Sequence, residues 1–213
     1  MSGKKRLVVL SEAIICSLGL MIFSYFIQLN FPVRFLAFTA LFVSAFVISI
    51  NIRSFTDLKK ITGEYISCKK TVLHLITGIV MGIMLILLYR WHLGISLFPA
   101  SIHPFVITAA LIGCVEELVF RGFLQEYVRS FNSPFSILFS TLSHTGYKCC
   151  LFLSPATAGD INVGFLFLWT FIAGILLGTV RHLSKSLLPS LTAHALFDVM
   201  VYAEFVTAPW WVW

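Results

Sequence analysis

The feature that most constrains this chain is a succession of apolar runs broken by short polar or basic turns. The runs are Leu7 to Leu29, Phe35 to Ile52, Thr71 to Tyr89, Pro104 to Leu124, Phe135 to Phe152, Val163 to Val180 and Leu187 to Val206. A helix of about 20 residues crosses the ~30 Å hydrocarbon core of a bilayer. In lipid every backbone N–H and C=O must find its partner within the segment, which selects helices. The pattern therefore predicts an all-α, polytopic membrane helical bundle with about seven transmembrane helices, forming a single integral-membrane domain over residues 1–213. Composition agrees: 59% of residues are hydrophobic and 11% charged, against roughly one quarter charged in a soluble domain. Too little polar sequence remains between the runs for a soluble domain.

The basic residues make a topology argument. A net charge of +6 would suggest nucleic acid in a soluble protein, but here the lysines and arginines stand between apolar runs, where they set orientation. No nucleic-acid partner is expected. With seven spans, one side receives Lys4, Lys5, Arg6, Arg53, Lys59, Lys60, Lys69, Lys70, Arg129, Arg181 and Lys185, and the other Arg34, Arg90 and Lys148. This bias places the amino terminus and the basic loops in the cytoplasm. Lys4-Lys5-Arg6 resembles the start of a signal peptide, but the run that follows is too long, contains Glu12 and lacks a small-residue cleavage site, so a retained first helix is expected. The five cysteines show no metal-type spacing and read as free thiols packed as small hydrophobes. Gly78-x-x-x-Gly82 allows close helix packing, and Pro209-Trp210-Trp211-Val212-Trp213 resembles an interfacial aromatic anchor.

Within this frame, Gly113-Cys114-Val115-Glu116-Glu117-Leu118-Val119-Phe120-Arg121 sets two carboxylates and a guanidinium inside a lipid-type helix. A charge at membrane depth costs at least ~2.5–3.5 kcal/mol, so such residues face a protein interior or wet cavity and mark function. On an α-helix Glu117 and Arg121 are four apart and pair, while Glu116 points about 100° away. At ~1.5 Å per residue, Glu116, His144 and His194 lie about 12, 15 and 10 Å from the same membrane face, with Asp198 one turn beyond His194. Taken singly, each histidine reads as a packed ring bonded to a carbonyl, the glutamates as helix-boundary residues, and His194/Asp198 as an interhelical clamp. Their agreement in depth instead points to one constellation: Glu116, Glu117, Arg121, His144, His194 and Asp198. Glu12 reads as an isolated snorkelling carboxylate, and His74, His92, His103 and His182 as interfacial. Gly146 and Lys148 read as residues that loosen or end the fifth helix. No G-x-S-x-G elbow or H-E-x-x-H helix is present.

Glu116-Glu117-x-x-x-Arg121, then His144, then His194-x-x-x-Asp198 resembles the three-motif pattern of the CPBP family of intramembrane glutamic-type endopeptidases. That family includes the CAAX proteases and bacteriocin-processing proteins. The resemblance covers Glu116 to Asp198, inside a protease core of about residues 104–206. It implies an intramembrane endopeptidase that hydrolyses a peptide bond of a membrane-associated or C-terminally anchored protein or peptide by glutamate-activated water. Glu116 would act as general base with His144, Glu117 and Arg121 as paired supports, and His194 with Asp198 on the oxyanion side. Two departures stand out. The family's second motif places Phe four residues before the histidine, where this chain has Ser140 beside Phe139. An ionised Asp198 accepts hydrogen bonds but cannot donate them.

Buried Glu, Arg and His also build the sites of ion-coupled transporters, and a non-catalytic bacteriocin-immunity-type membrane protein is a third reading of the same pattern. The absence of a visible inverted repeat weighs against a carrier. Two histidines and a carboxylate could hold a catalytic zinc, but the spacing has no familiar ligand signature, so no cofactor and no metal ligand is assigned. The expected partners are a membrane-associated substrate and the lipid bilayer, and the expected location is a bacterial plasma membrane. The topology is testable with impermeant thiol reagents: a cysteine placed at position 60 is expected to resist labelling from outside intact cells, and labelling there would overturn the orientation.

Overall fold

In a computed structural model, residues 3–63, 67–155 and 162–206 are described, and every regular element among them is helical. The order is α1 (Gly3–Phe26), α2 (Arg34–Asn51), a short α3 (Phe55–Thr62), α4 (Cys68–His92) and α5 (Phe105–Glu117). A π-helical segment (Leu118–Leu124), one turn of α6 (Gln125–Tyr127) and a 3-10 turn (Val128–Ser130) follow, then α7 (Ser133–Leu153), α8 (Val163–Ser184) and α9 (Leu188–Val201). Four of these, α1, α2, α4 and α8, are long and apolar enough to cross a membrane. Their outward faces carry large apolar side chains such as Phe42, Leu73 and Leu168. A soluble bundle would place polar residues there. Polar side chains are turned inward instead: α7 buries Ser136, Ser140, Thr141, Ser143, His144 and Thr145.

Small residues set how closely the helices approach. A Cβ at Gly78 would stand 2.6 Å from the Pro189 carbonyl oxygen and 2.7 Å from Thr192 Cβ, and one at Gly82 would stand 3.0 Å from the Ala193 carbonyl oxygen. The Gly78-x-x-x-Gly82 spacing is thus used within the chain, to bring α4 onto α9. Between α1 and α2, Ser44 Oγ donates to the Cys16 carbonyl at 3.0 Å. Cys16 and the other four cysteines are free thiols.

Four local expectations are corrected. Gly146 does not loosen α7, which continues to Leu153; the glycine instead lies against Met21 of α1. Glu12 is not isolated: its carboxylate accepts from the Tyr127 hydroxyl and, at 3.2 Å, from Asn51 Nδ2, tying α1, α2 and α6 together. Arg90 does not sit in a loop. The last turn of α4 buries it, and it donates to the carbonyls of Ser96 at 2.5 Å and Met200 at 3.1 Å. The long polar connection also contains a helix, α3, whose start is capped by Ser54 Oγ accepting from the Asp57 N–H at 3.2 Å. It ends at Gly63, whose φ of 102° is open to glycine, and Arg181 Nη2 donates to the Lys60 carbonyl at 2.7 Å. The carboxy-terminal aromatic stretch, residues 209–213, lies outside the described residues.

Because the α4–α9 contact leaves no room for a side chain, Gly78→Val is expected to lower the yield of monodisperse protein in detergent and its melting temperature. The outward-facing Val80→Ile is expected to change neither. Equal behaviour of the two variants in size-exclusion chromatography and thermal unfolding would refute the close approach.

Candidate active site

The site is built where α5 gives way to the π segment. The α-helical expectation for Pro104 to Leu124 fails after Glu117, because the backbone widens: the Gln125 N–H reaches back five residues to the Phe120 carbonyl. Ser140 Oγ of α7 donates to the same carbonyl at 2.8 Å. Such π turns are rare and concentrate at functional sites. Gly122 is needed within it, since a Cβ there would lie 2.8 Å from Ile61 Cγ2 of α3. The widened turn also brings the Phe120 ring to 4.7 Å from the His144 ring. Ser140 therefore serves the backbone, and His144 has an aromatic neighbour, Phe120, from another segment in addition to Tyr147 of α7.

Glu117 and Arg121 form the floor. Arg121 Nη1 lies 2.9 Å from Glu117 Oε1, and both side chains are wholly buried. Each also holds a histidine. Arg121 Nη1 is 2.7 Å from His144 Nδ1, and because a guanidinium only donates, that nitrogen must offer its lone pair. The His144 hydrogen is consequently on Nε2, which donates to Glu116 Oε2 at 3.1 Å. Glu117 Oε1 accepts from His194 Nδ1 at 2.8 Å, so His194 carries its hydrogen on Nδ1. His144 thus presents an Nε2–H and His194 an Nδ1–H, and the Nε2 of each ring is turned towards Glu116, that of His194 at 3.7 Å.

All six residues singled out from the sequence meet here. Asp198, one turn after His194 on α9, puts Oδ2 3.6 Å from His194 Nε2. Gly113 leaves room opposite it, since a Cβ there would crowd that oxygen. Gly174 lets α8 close over Arg121, a Cβ there being 3.2 Å from Arg121 Nη2.

One residue of the site was missed. Lys148, read as a helix breaker, is turned inward with Nζ 2.6 Å from Glu116 Oε1 and its side chain 17% exposed. The signal was available: Lys148 follows His144 by four residues, so both lie on one face of α7, and it is a charge within an apolar run, the criterion that singled out Glu116.

Beside these groups lies a cavity of about 220 Å³, enclosed by α4, α7, α8 and α9. His144, Lys148, His194 and Asp198 form its polar end, while Leu85, Tyr89, Trp169 and Phe197 make apolar walls. Glu116 stands behind the polar end, bonded to His144 and Lys148. Among the described residues no three His, Cys, Asp or Glu side chains are grouped to hold a metal ion.

Fold and site together define an integral membrane protein whose helices bury a Glu–Arg–His–Asp centre at the end of an apolar cavity. Residues 98–200, which include all of that centre, match the model of the type II CAAX prenyl endopeptidase Rce1-like family, in keeping with the CAAX-protease resemblance of its motifs. No curated protein and no solved structure matches the chain.

The floor pair makes a testable claim. Removing one partner of a buried ion pair costs roughly 3–5 kcal/mol. Arg121→Ala is therefore expected to lower the yield and melting temperature of detergent-solubilised protein together with any activity. Normal accumulation with full activity would show that neither Glu117 nor His144 depends on the guanidinium.

Proposed function

We propose that the chain is an intramembrane endopeptidase in which Glu116 activates water, and that α1, α2, α4, the α5–π–α6 unit, α7, α8 and α9 are seven spans with the amino terminus in the cytoplasm. The observation that carries the reaction is the convergence of His144 Nε2 and His194 Nε2 on the Glu116 carboxylate, which stands behind the polar end of a cavity with apolar walls. Peptide hydrolysis needs a nucleophilic water and a group that stabilises the oxyanion. Glu116, oriented by the N–H of His144, takes the proton of a water that enters from the cavity. The water oxygen bonds to the carbonyl carbon, and Glu116 then passes the proton to the departing amine.

His194 faces the oxyanion through Nε2, which needs a hydrogen there to donate. Charge balance supports one. Glu116, Glu117 and Asp198 are three carboxylates against the two permanent cations Arg121 and Lys148, and one further proton, on His194 Nε2 3.6 Å from Asp198 Oδ2, closes the count. The hydrogen bonds also favour a metal-free site, since the Nδ1 lone pair of His144 is engaged by Arg121 and its Nε2 carries hydrogen. The apolar walls suit a substrate with a hydrophobic or prenylated carboxy-terminal segment at the cytoplasmic face of a bacterial plasma membrane.

The test is cleavage of a quenched fluorescent, farnesylated CAAX peptide, and of the same peptide carrying an alkyl chain instead, by protein reconstituted in liposomes. Cleavage of either is expected to survive a strong chelator and to fall at least 100-fold in Glu116→Gln, as expected for loss of a general base. Near-normal turnover by a folded Glu116→Gln protein would overturn the glutamate mechanism. Loss on chelation with recovery on adding zinc would overturn the metal-free one.

A further inference from the structure

The Lys148 ammonium is the charged group of the centre to which the proposed reaction has given no task. Among the described residues it has a single carboxylate within bonding distance, Glu116 Oε1 at 2.6 Å. It also lines the cavity beside the centre alongside His194 and Asp198, and it faces Asp198 again across a smaller cavity bounded by Ala109 and Tyr202. A lysine meant only to neutralise a buried glutamate need not reach the cavity surface. Its position between the base and the open space suggests two successive partners.

We infer that Lys148 is a catalytic residue, the cation that accompanies the negative charge from Glu116 to the substrate oxyanion. This inference rests on the peptidase reading of the site. In the resting enzyme the ammonium neutralises the ionised Glu116. In the first step a water O–H bond breaks, its proton goes to Glu116, the water oxygen bonds to the carbonyl carbon, and the carbonyl π pair moves onto oxygen. One negative charge disappears from the carboxylate as another appears on the oxyanion. Lys148, released from a glutamic acid that no longer attracts it, swings on its flexible four-carbon stem to the oxyanion. When the C–N bond breaks, the Glu116 proton passes to the leaving amine, the oxyanion pair re-forms the carbonyl, and Lys148 returns to the carboxylate. This assigns to the lysine the donation that an ionised Asp198 cannot make.

The experiment compares the wild type with Lys148→Met, Lys148→Gln, Lys148→Arg and the double variant Lys148→Met/Asp198→Asn. Cleavage of the farnesylated and alkylated peptides is measured, with inhibition by a phosphinate analogue of whichever is cleaved. Removing an oxyanion-stabilising group costs about 100-fold or more in kcat. Lys148→Met and Lys148→Gln are therefore expected to lose about that factor with KM little changed, and to bind the tetrahedral phosphinate weaker by the same factor. Lys148→Arg is expected to retain most of the phosphinate affinity. Asp198→Asn is expected to recover at least tenfold in the Lys148→Met background, because the amide supplies a donor. Lys148→Gln keeps a hydrogen bond to Glu116 and reads the charge even if Lys148→Met fails to fold. An active wild type whose neutral variants keep kcat and phosphinate affinity within threefold would overturn the lysine role alone. A wild type that neither cleaves the peptides nor binds their phosphinates would overturn the peptidase reading and this inference with it.

Discussion

The site depends on the ion pair between Glu117 and Arg121, two charges with no exposure to solvent. Ions in such a place are costly unless their remaining hydrogen-bonding capacity is met. The two histidines meet part of it: His144 accepts from the guanidinium and His194 donates to the carboxylate. The dependence is mutual. The pair needs the rings as partners, and each ring receives its tautomer and orientation from the pair. Docking α7 and α9 against the π segment therefore also sets the two nitrogens that face Glu116.

Close approach makes this possible. Gly113 leaves space for the Asp198 carboxylate and Gly174 for the Arg121 guanidinium, while the Gly178 carbonyl accepts from Gln125 Nε2 at 2.8 Å. The π segment supplies a widened turn in which Arg121 is buried beside His144 and Phe120 lies against the His144 ring. Its shared carbonyl is met by Ser140. The serine at a position where the resembled family has phenylalanine is thus accompanied by an aromatic contact from Phe120.

The centre is strongly charged, yet the bundle around it is apolar outside. Three carboxylates, two permanent cations and two histidines share a small volume, with Lys148 on one oxygen of Glu116 and His144 on the other. In a low-dielectric interior such groups interact strongly. A proton moved within the centre is therefore felt by its charged neighbours.

Much of the architecture could be read from the chain itself, because apolar runs in lipid have helices as their main solution and the cost of a buried charge marks the residues that must face inward. That reasoning yields an all-helical membrane protein and a short list from Glu116 to Asp198. It leaves out what depends on contacts between segments distant in sequence. The break into a π turn at Leu118 rests on Gly122 against α3 and on Ser140 of α7. The tautomers of His144 and His194 follow from which partner each nitrogen meets. Glu12 gained its partners only when α2 and α6 packed beside it, and Arg90 was drawn in by the carbonyls of Ser96 and Met200. Lys148 shows the boundary most clearly. Its spacing from His144 was legible, but whether a lysine near a helix end reaches for water or for a buried carboxylate is decided by where the long, flexible side chain finds its counter-charge, and only the tertiary structure places Glu116 there.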